Sequence, residues 1–241
     1  MKLQKISNRI YYLPSYSETD RPVLGYVRGD RYSLMVDAGN SSDHVDLFNR
    51  EITELGLPLP DYVAITHWHW DHTFGMSAVT GKTIANRVTN EQLKIVKDWS
   101  WSHEAMEKRL QTGEDIEFCD RCIRLEYSDR SSINICTADI VYDKSLVLDL
   151  GGVHCVLSRI TAPHSEDSTV IYIPEEKVLF IGDADCEDYY HNNGKYDKDK
   201  LNKLIRFLEP LDFTTYVIGH EEPQSKDEAM AYLYEELGKL E

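Results

Sequence analysis

Apolar positions along the chain follow two rhythms, and the switches between them outline its elements. Short β-branched and aromatic runs over residues 9–13, 23–28 and 32–36 predict strands, the last two joined as a hairpin at Gly29-Asp30. The rhythm then turns helical, with Val45, Leu47, Phe48, Ile52 and Leu55 on one side, a serine at 41 or 42 as cap and Gly56 as the stop. A strand over 62–65 follows. Residues 89–110 read as a helix capped by Thr89 with Glu91 close behind, whose Trp99, Trp101 and Met106 suit packing over a core or a cleft. Short strands return over 140–142, 146–150, 153–160, 169–173 and 178–181, with Lys144 and Gly151-Gly152 at turns. The end alternates helix, strand and helix over 198–208, 215–218 and 225–240.

The strand over 62–65 runs straight into Thr66-His67-Trp68-His69-Trp70-Asp71-His72, which packs four metal-capable side chains into six residues. In an extended segment, residues two apart share a face, so His67 and His69 can point at one ion while Asp71 and His72, beyond the turn, reach a second. More donors stand at or just past the ends of later apolar runs: His164 after Ala162-Pro163, Asp183 after Ile181-Gly182, and His220 after Ile218-Gly219. A catalytic site keeps a coordination position open for water, and dense imidazole and carboxylate after strands suits such a site.

HxHxDH, a lone histidine, an aspartate after an apolar strand and a final Gly-His together resemble the metallo-β-lactamase-fold hydrolase superfamily, over essentially the whole chain. That resemblance implies a four-layer αβ/βα sandwich of two mixed β-sheets with helices outside. It implies two divalent metal ions, zinc foremost with iron or manganese as alternatives. His67, His69 and His164 would hold the first, Asp71, His72 and His220 the second, and Asp183 would bridge them. Asp37 in Val36-Asp37-Ala38-Gly39 matches the family's early aspartate, which supports the site. Two ions roughly 3.5 to 4 Å apart provide a metal-bound hydroxide and polarise a carbonyl, chemistry suited to a small ester, thioester, lactone or amide. Asp71 is placed to accept or relay the proton. The chain also departs from the family. Many members run from the third histidine through Thr or Ser to Gly, whereas here the sequence is His164-Ser165-Glu166-Asp167-Ser168; the lactonase branch often has a tyrosine three residues after the bridging aspartate, where this chain has Cys186, with Tyr189 and Tyr190 slightly later.

Length and charge narrow the reading. At 241 residues a single domain over 1–241 is the expectation, with residues 86–137 as a helical insertion arching over the cleft. Lys plus Arg total 26 against 42 Asp plus Glu, a net charge of -16, which makes nucleic acid an unlikely partner and a small molecule the expected substrate. The amino-terminal stretch lacks a signal peptide's apolar core, no stretch approaches a membrane span, and the five cysteines have no regular spacing, so a cytoplasmic location is expected. Cys119-Asp120-Arg121-Cys122 is a lone CxxC, read as two ordinary thiols. His44, His103 and His154 read as ordinary histidines, and only His191 stands where substrate contact is plausible. Acids at 166, 167, 183, 185, 187, 188, 221 and 222 would make the cleft rim acidic and disfavour anionic substrates, unless Glu166 and Asp167 support the site instead. Readings of another class are an iron-dependent sulfur dioxygenase-like oxidoreductase and a metal-binding module without turnover. Oligomeric state has no signature in the sequence.

Overall fold

Two mixed sheets face each other across an apolar layer, and each sends a pair of parallel strands to the same edge. The computed structural model describes residues 1–240. The first sheet runs in chain order through β1 (Gln4–Lys5), β2 (Ile10–Leu13), β3 (Leu24–Arg28), β4 (Ser33–Val36), β5 (Tyr62–Ala64), β6 (Lys82–Asn86) and β7 (Ile140–Tyr142). It is antiparallel up to β4 and parallel from β4 to β7. The second has the order β13 (Gln224–Ser225), β12 (Thr215–Ile218), β11 (Val178–Gly182), β10 (Thr169–Ile173), β9 (His154–Arg159) and β8 (Ser145–Asp149), with β11 and β12 parallel.

Alternation along the strands decides what fills the layers. Val27, Leu34 and Ile84 of the first sheet meet Leu157, Ile171 and Phe180 of the second between the sheets. The opposite face of the first sheet, with Tyr26, Met35 and Val63, is covered by Phe48 and Ile52 of α1 (Ser42–Glu54) and Leu93 of α3 (Arg87–Lys97). On the far face of the second sheet, Leu179 and Tyr216 pack on α6 (Lys198–Leu208) and α7 (Lys226–Lys239). Fully burying each such side chain contributes about 1.5–3 kcal/mol, so the three apolar layers together hold the four-layer sandwich.

Local caps explain most boundaries. Ser41 accepts from the His44 N–H to start α1, and Gly56, at φ 68, follows its end. Ser225 and Glu228 form a reciprocal capping box on α7. The single helix expected over 89–110 is instead two, α3 and α4 (His103–Thr112), with α5 (Glu117–Glu126) after them. Asn86, not Thr89, caps α3, accepting from the Val88 and Thr89 N–H groups. The chain breaks at Asp98–Ser102 because Ser102 caps a fresh helix, and Trp99 and Trp101 turn toward the Arg109 guanidinium, which lies 4.6 and 4.7 Å from their ring centroids. β6 also lay outside the sequence pattern; it is a parallel strand beside β5 and buried on both faces.

Candidate metal centre

Parallel pairing brings the chemistry to one edge. Val36 of β4 registers with Ala64 of β5, so Asp37 and the segment from Ile65 leave the first sheet side by side. In the second sheet Gly182 registers with Ile218, and a bulge between Phe180 and Gly182 turns Asp183 toward Gly219-His220. The edges are stitched together where the Thr169 N–H donates to the Thr66 carbonyl at 2.6 Å and the Val23 N–H to the Gly219 carbonyl at 2.6 Å. After His69 the short helix α2 (Trp70–Thr73) sets Asp71 and His72 one turn further on.

Seven side chains proposed from the sequence gather into two groups. His67, His69 and His164 form one, and Asp71, His72, Asp183 and His220 the other, with the donor atoms of each group within 4.8 Å of one another. His69 Nδ1 and His164 Nε2 are 2.9 Å apart. Asp183 Oδ2 lies 3.3 Å from His220 Nε2, 3.4 Å from His72 Nε2 and 3.8 Å from His164 Nε2, so it faces both groups. His67 Nε2, His72 Nε2 and Asp183 Oδ1 are buried without a hydrogen-bond partner, although His72 Nε2 stands only 3.0 Å from Asp71 Oδ2. Lone pairs that converge on a point without bonding one another leave buried polar atoms unsatisfied. A divalent cation with nitrogen and oxygen donors fits that arrangement.

The other face of each ring is fixed. His72 Nδ1 lies 2.7 Å from Asp37 Oδ2 and His164 Nδ1 2.9 Å from the Glu187 carbonyl. With Nδ1–H donating in each, Nε2 keeps its lone pair for the centre. Asp37 also accepts from the Thr66 N–H at 2.7 Å, and it holds a left-handed φ of 60, a strained backbone that these bonds sustain. Two glycines make the close approach possible. A Cβ on Gly219 would sit 1.8 Å from Asp183 Oδ1, and one on Gly182 would sit 2.6 Å from Thr66 Oγ1.

Electrostatics separate the groups. Burial drives His67 and His69 well below the usual imidazole range. Burial would also lower His72 and His220, but Asp71 and Asp183 outweigh it and raise both. Those two carboxyls, which burial would raise, are held low by the same imidazoles. A cation entering the second group therefore displaces protons from His72 and His220.

Of the acids expected on the rim, Asp167, Asp183, Asp185 and Asp188 are buried, while Glu166, Glu221 and Glu222 are exposed. Asp167 is buried, accepting from the Trp68 N–H at 3.0 Å and Thr89 Oγ1 at 2.7 Å, and also from Ser165 Oγ. It ties the backbone between His67 and His69 to α3, the support role. Asp185 accepts from the Tyr216 hydroxyl, and Asp188 from the backbone of Tyr190 and His191. Only Glu166 of the 166–167 pair is exposed. His44 is buried in α1, His103 is exposed, and His154 pairs with Glu175 at 2.6 Å. Burial raises the Cys119 and Cys122 thiols, which keeps them protonated and unreactive.

Two cavities open on the centre. One, of about 510 Å³, is lined by Asp20, Asp71, Asp183, Ile116, Phe118 and Tyr189 among others. A second, of about 420 Å³, adjoins His69 and His164 from the side of Lys200 and His191. Tyr190 packs against His69 with ring centroids 4.9 Å apart. Asp20 was not anticipated: it comes from the β2–β3 turn, at φ 55, and its Oδ1 lies 3.6 Å from His220 Nδ1. Burial and then the charge on Asp71 push Asp20 up to about 7, so a neighbouring cation or donor is what would hold it ionised.

The family model described as the metallo-beta-lactamase superfamily matches residues 22–220. No curated protein sequence matches the chain. Among solved structures, the metallo-beta-lactamase from Pontibacter korlensis aligns with TM-score 0.65 at 18% identity, over 98% of this chain and 97% of that one. The stereoselective inverting sec-alkylsulfatase Pisa1 from Pseudomonas sp. aligns with TM-score 0.71 at 15% identity, over 98% of this chain and 41% of the other. A motif mutant of the metallo-beta-lactamase from Cronobacter sakazakii aligns with TM-score 0.63 at 16% identity, over 91% and 80%. At these identities the likeness is one of fold.

Proposed function

The chain belongs to the metallo-beta-lactamase superfamily, and from that premise we propose that it is a metal-dependent hydrolase of a small ester, thioester, lactone or amide. Two divalent cations, zinc foremost, would be held by His67, His69 and His164 in one group and by Asp71, His72, Asp183 and His220 in the other. The observation that carries the reading is the pair of buried, unpartnered imidazole nitrogens His67 Nε2 and His72 Nε2, with Asp183 Oδ2 3.4 Å from His72 and 3.8 Å from His164, a histidine of each group.

When bound, the cations supply Lewis-acid polarisation of a carbonyl and a water of lowered pKa. The residues do the rest. Asp37 and the Glu187 carbonyl keep His72 and His164 in the tautomer that offers Nε2. Asp71, 3.1 Å from His220 Nε2, lines the open cleft and can take a proton from the attacking water and return it to the leaving group. Ile116 and Phe118 bring residues 86–137, read as an insertion, to the cleft wall, where they exclude water from the reacting bond.

A panel of esters, thioesters, lactones, amides and a secondary alkyl sulfate, tested on protein reconstituted with zinc, manganese or iron, decides the matter. Turnover of an acyl substrate that rises with the second equivalent of metal is the expected result. Two bound metals without turnover of any substrate would leave a metal-binding module, and oxygen uptake with a persulfide by the iron form would favour the dioxygenase.

A further inference from the structure

One carboxylate of the main cleft belongs to neither donor group and accepts no hydrogen bond, with the His220 imidazole at 3.6 Å as its one ion-pair contact. Asp20 ends the turn Ser17–Thr19 in the left-handed backbone region, with φ 55. That turn is anchored from outside. Asn40 Nδ2 donates to the Thr19 carbonyl at 2.7 Å, Tyr16 and Arg21 bridge its ends, and Arg21 pairs with Glu126 at 2.6 Å. The Asp20 side chain is only 13% exposed, yet it accepts no hydrogen bond from any described residue. Its nearest charged neighbour, His220 Nδ1 at 3.6 Å, is beyond hydrogen-bonding reach. A buried carboxylate on a rigid turn is costly unless something completes it.

The cavity around it suggests what does. The same cavity is lined by Ile116, Phe118 and Tyr189, and neither Lys nor Arg lines it. Phe118 and Tyr189 are 47% and 53% exposed, a large apolar pair at the mouth of a pocket that is otherwise well formed. An anionic substrate would meet Asp20 with no cation from the protein to offset it. We propose that Asp20 is the charge filter of this cleft: it receives a cationic or hydrogen-bond-donating group of the substrate, disfavours anions, and leaves the apolar part to Ile116, Phe118 and Tyr189. The substrate is then an apolar acyl compound carrying an amine near the scissile carbonyl. This refines the hydrolase reading and rests on it for the word acyl.

Three matched hexanoyl esters test it on the two-metal protein, with hydrogen, an ammonium or a carboxylate on the carbon beside the scissile carbonyl. Wild type should favour the ammonium ester over the carboxylate ester. Asp20→Asn should lower that ratio of kcat/KM about tenfold, more at low ionic strength, as expected for one like-charge contact that salt screens. Phe118→Ala should lower kcat/KM for the long esters relative to an acetate. If Asp20→Asn lowers all three esters by one factor and weakens metal binding at the second group, Asp20 positions His220 and the filter is wrong. An unchanged ratio rejects it as well. Calorimetric binding of hexylammonium and of hexanol keeps the test independent of turnover. Loss of hexylammonium affinity alone in Asp20→Asn sustains the filter even if no ester is cleaved, in which case only the hydrolase reading falls.

Discussion

The three-histidine group and the four-residue group lie side by side, yet they are held in place by opposite means. His67, His69 and His164 bring no formal charge when neutral, and packing dominates around them: His69 clusters with Trp68 and Tyr190, at centroid distances of 4.7 and 4.9 Å. The second group carries two carboxylates, and its imidazoles are gripped by charge, His72 between Asp37 and Asp71 at 2.7 and 3.0 Å. One half is thus shaped by steric fit and the other by electrostatics. Losing a charge should disable the second half selectively, whereas losing a ring should empty the first.

The strongest challenge to this contrast is His69→Ala. It removes one of three donors from a group with no charge in reserve, so the first metal event should vanish from a titration. Activity should fall at least about a hundredfold, the loss that even a supporting residue can give. Wild-type turnover with two bound metals would break the assignment. Asp183→Asn comes next. Because its carboxylate faces both groups, the amide should leave one tight and one much weaker event, the weaker at the charged half. Two unchanged affinities would mean that Asp183 serves neither.

Asp37→Asn sharpens the contrast from one layer out. Its side chain touches no metal position but accepts from His72 Nδ1, the Thr66 N–H and the Thr66 hydroxyl. The amide cannot accept from all three donors, so affinity at the second group should drop about 10–100-fold while the first is retained. Equal weakening at both sites, measured by competition with a chelating dye, would show that the halves are not separately supported.

How far these halves were legible in the sequence follows from the same physics. His67, His69, Asp71 and His72 share one segment, and His164, Asp183 and His220 follow apolar strands, so each announces itself locally. The order of strands and helices was legible from apolar runs set between turn residues, and the sandwich they build came from the family resemblance, because strands such as Ser33–Val36 and Val178–Gly182 are buried along their whole length and show no alternation. Asp20 had no such signal. It sits in a polar turn between two strands, and the pairing of β2 with β3, the Val23–Gly219 bond and the Ser15 hydroxyl on the His220 carbonyl carry that turn to His220. Asp167 misled for the converse reason. Three residues from His164 it reads as a cleft acid, but the fold folds it back under Trp68. In the helical stretch the period ran on through Trp99 and Trp101, whose inward packing on Arg109 is a tertiary preference that overrides continuous helix.

Asp167 offers the smallest and most discriminating test, because its three hydrogen-bond donors tie the uncharged group to α3 by a buried acid. Its carboxyl is raised by burial, with Ser165 and Thr89 partly opposing that. The folded chain therefore binds the proton more tightly than the unfolded one, and this contribution to stability is full below the unfolded value near 3.8 and is lost as pH rises toward the folded value. Asparagine mimics the protonated form. Its oxygen can accept from the Trp68 N–H and Thr89, and its amide can donate to Ser165 Oγ. Asp167→Asn should thus lie within about 1 kcal/mol of wild type at pH 7, and compare less favourably as the pH falls toward 4, when wild type regains its proton. Asp167→Ala, which leaves buried donors unpaired, should cost on the order of 1–3 kcal/mol and loosen the first metal event before the second. Thermal melts of the three proteins across that pH range read out both effects. If Asn is severely destabilised at pH 7, the buried charge is itself needed, and the histidine group is held by electrostatics after all.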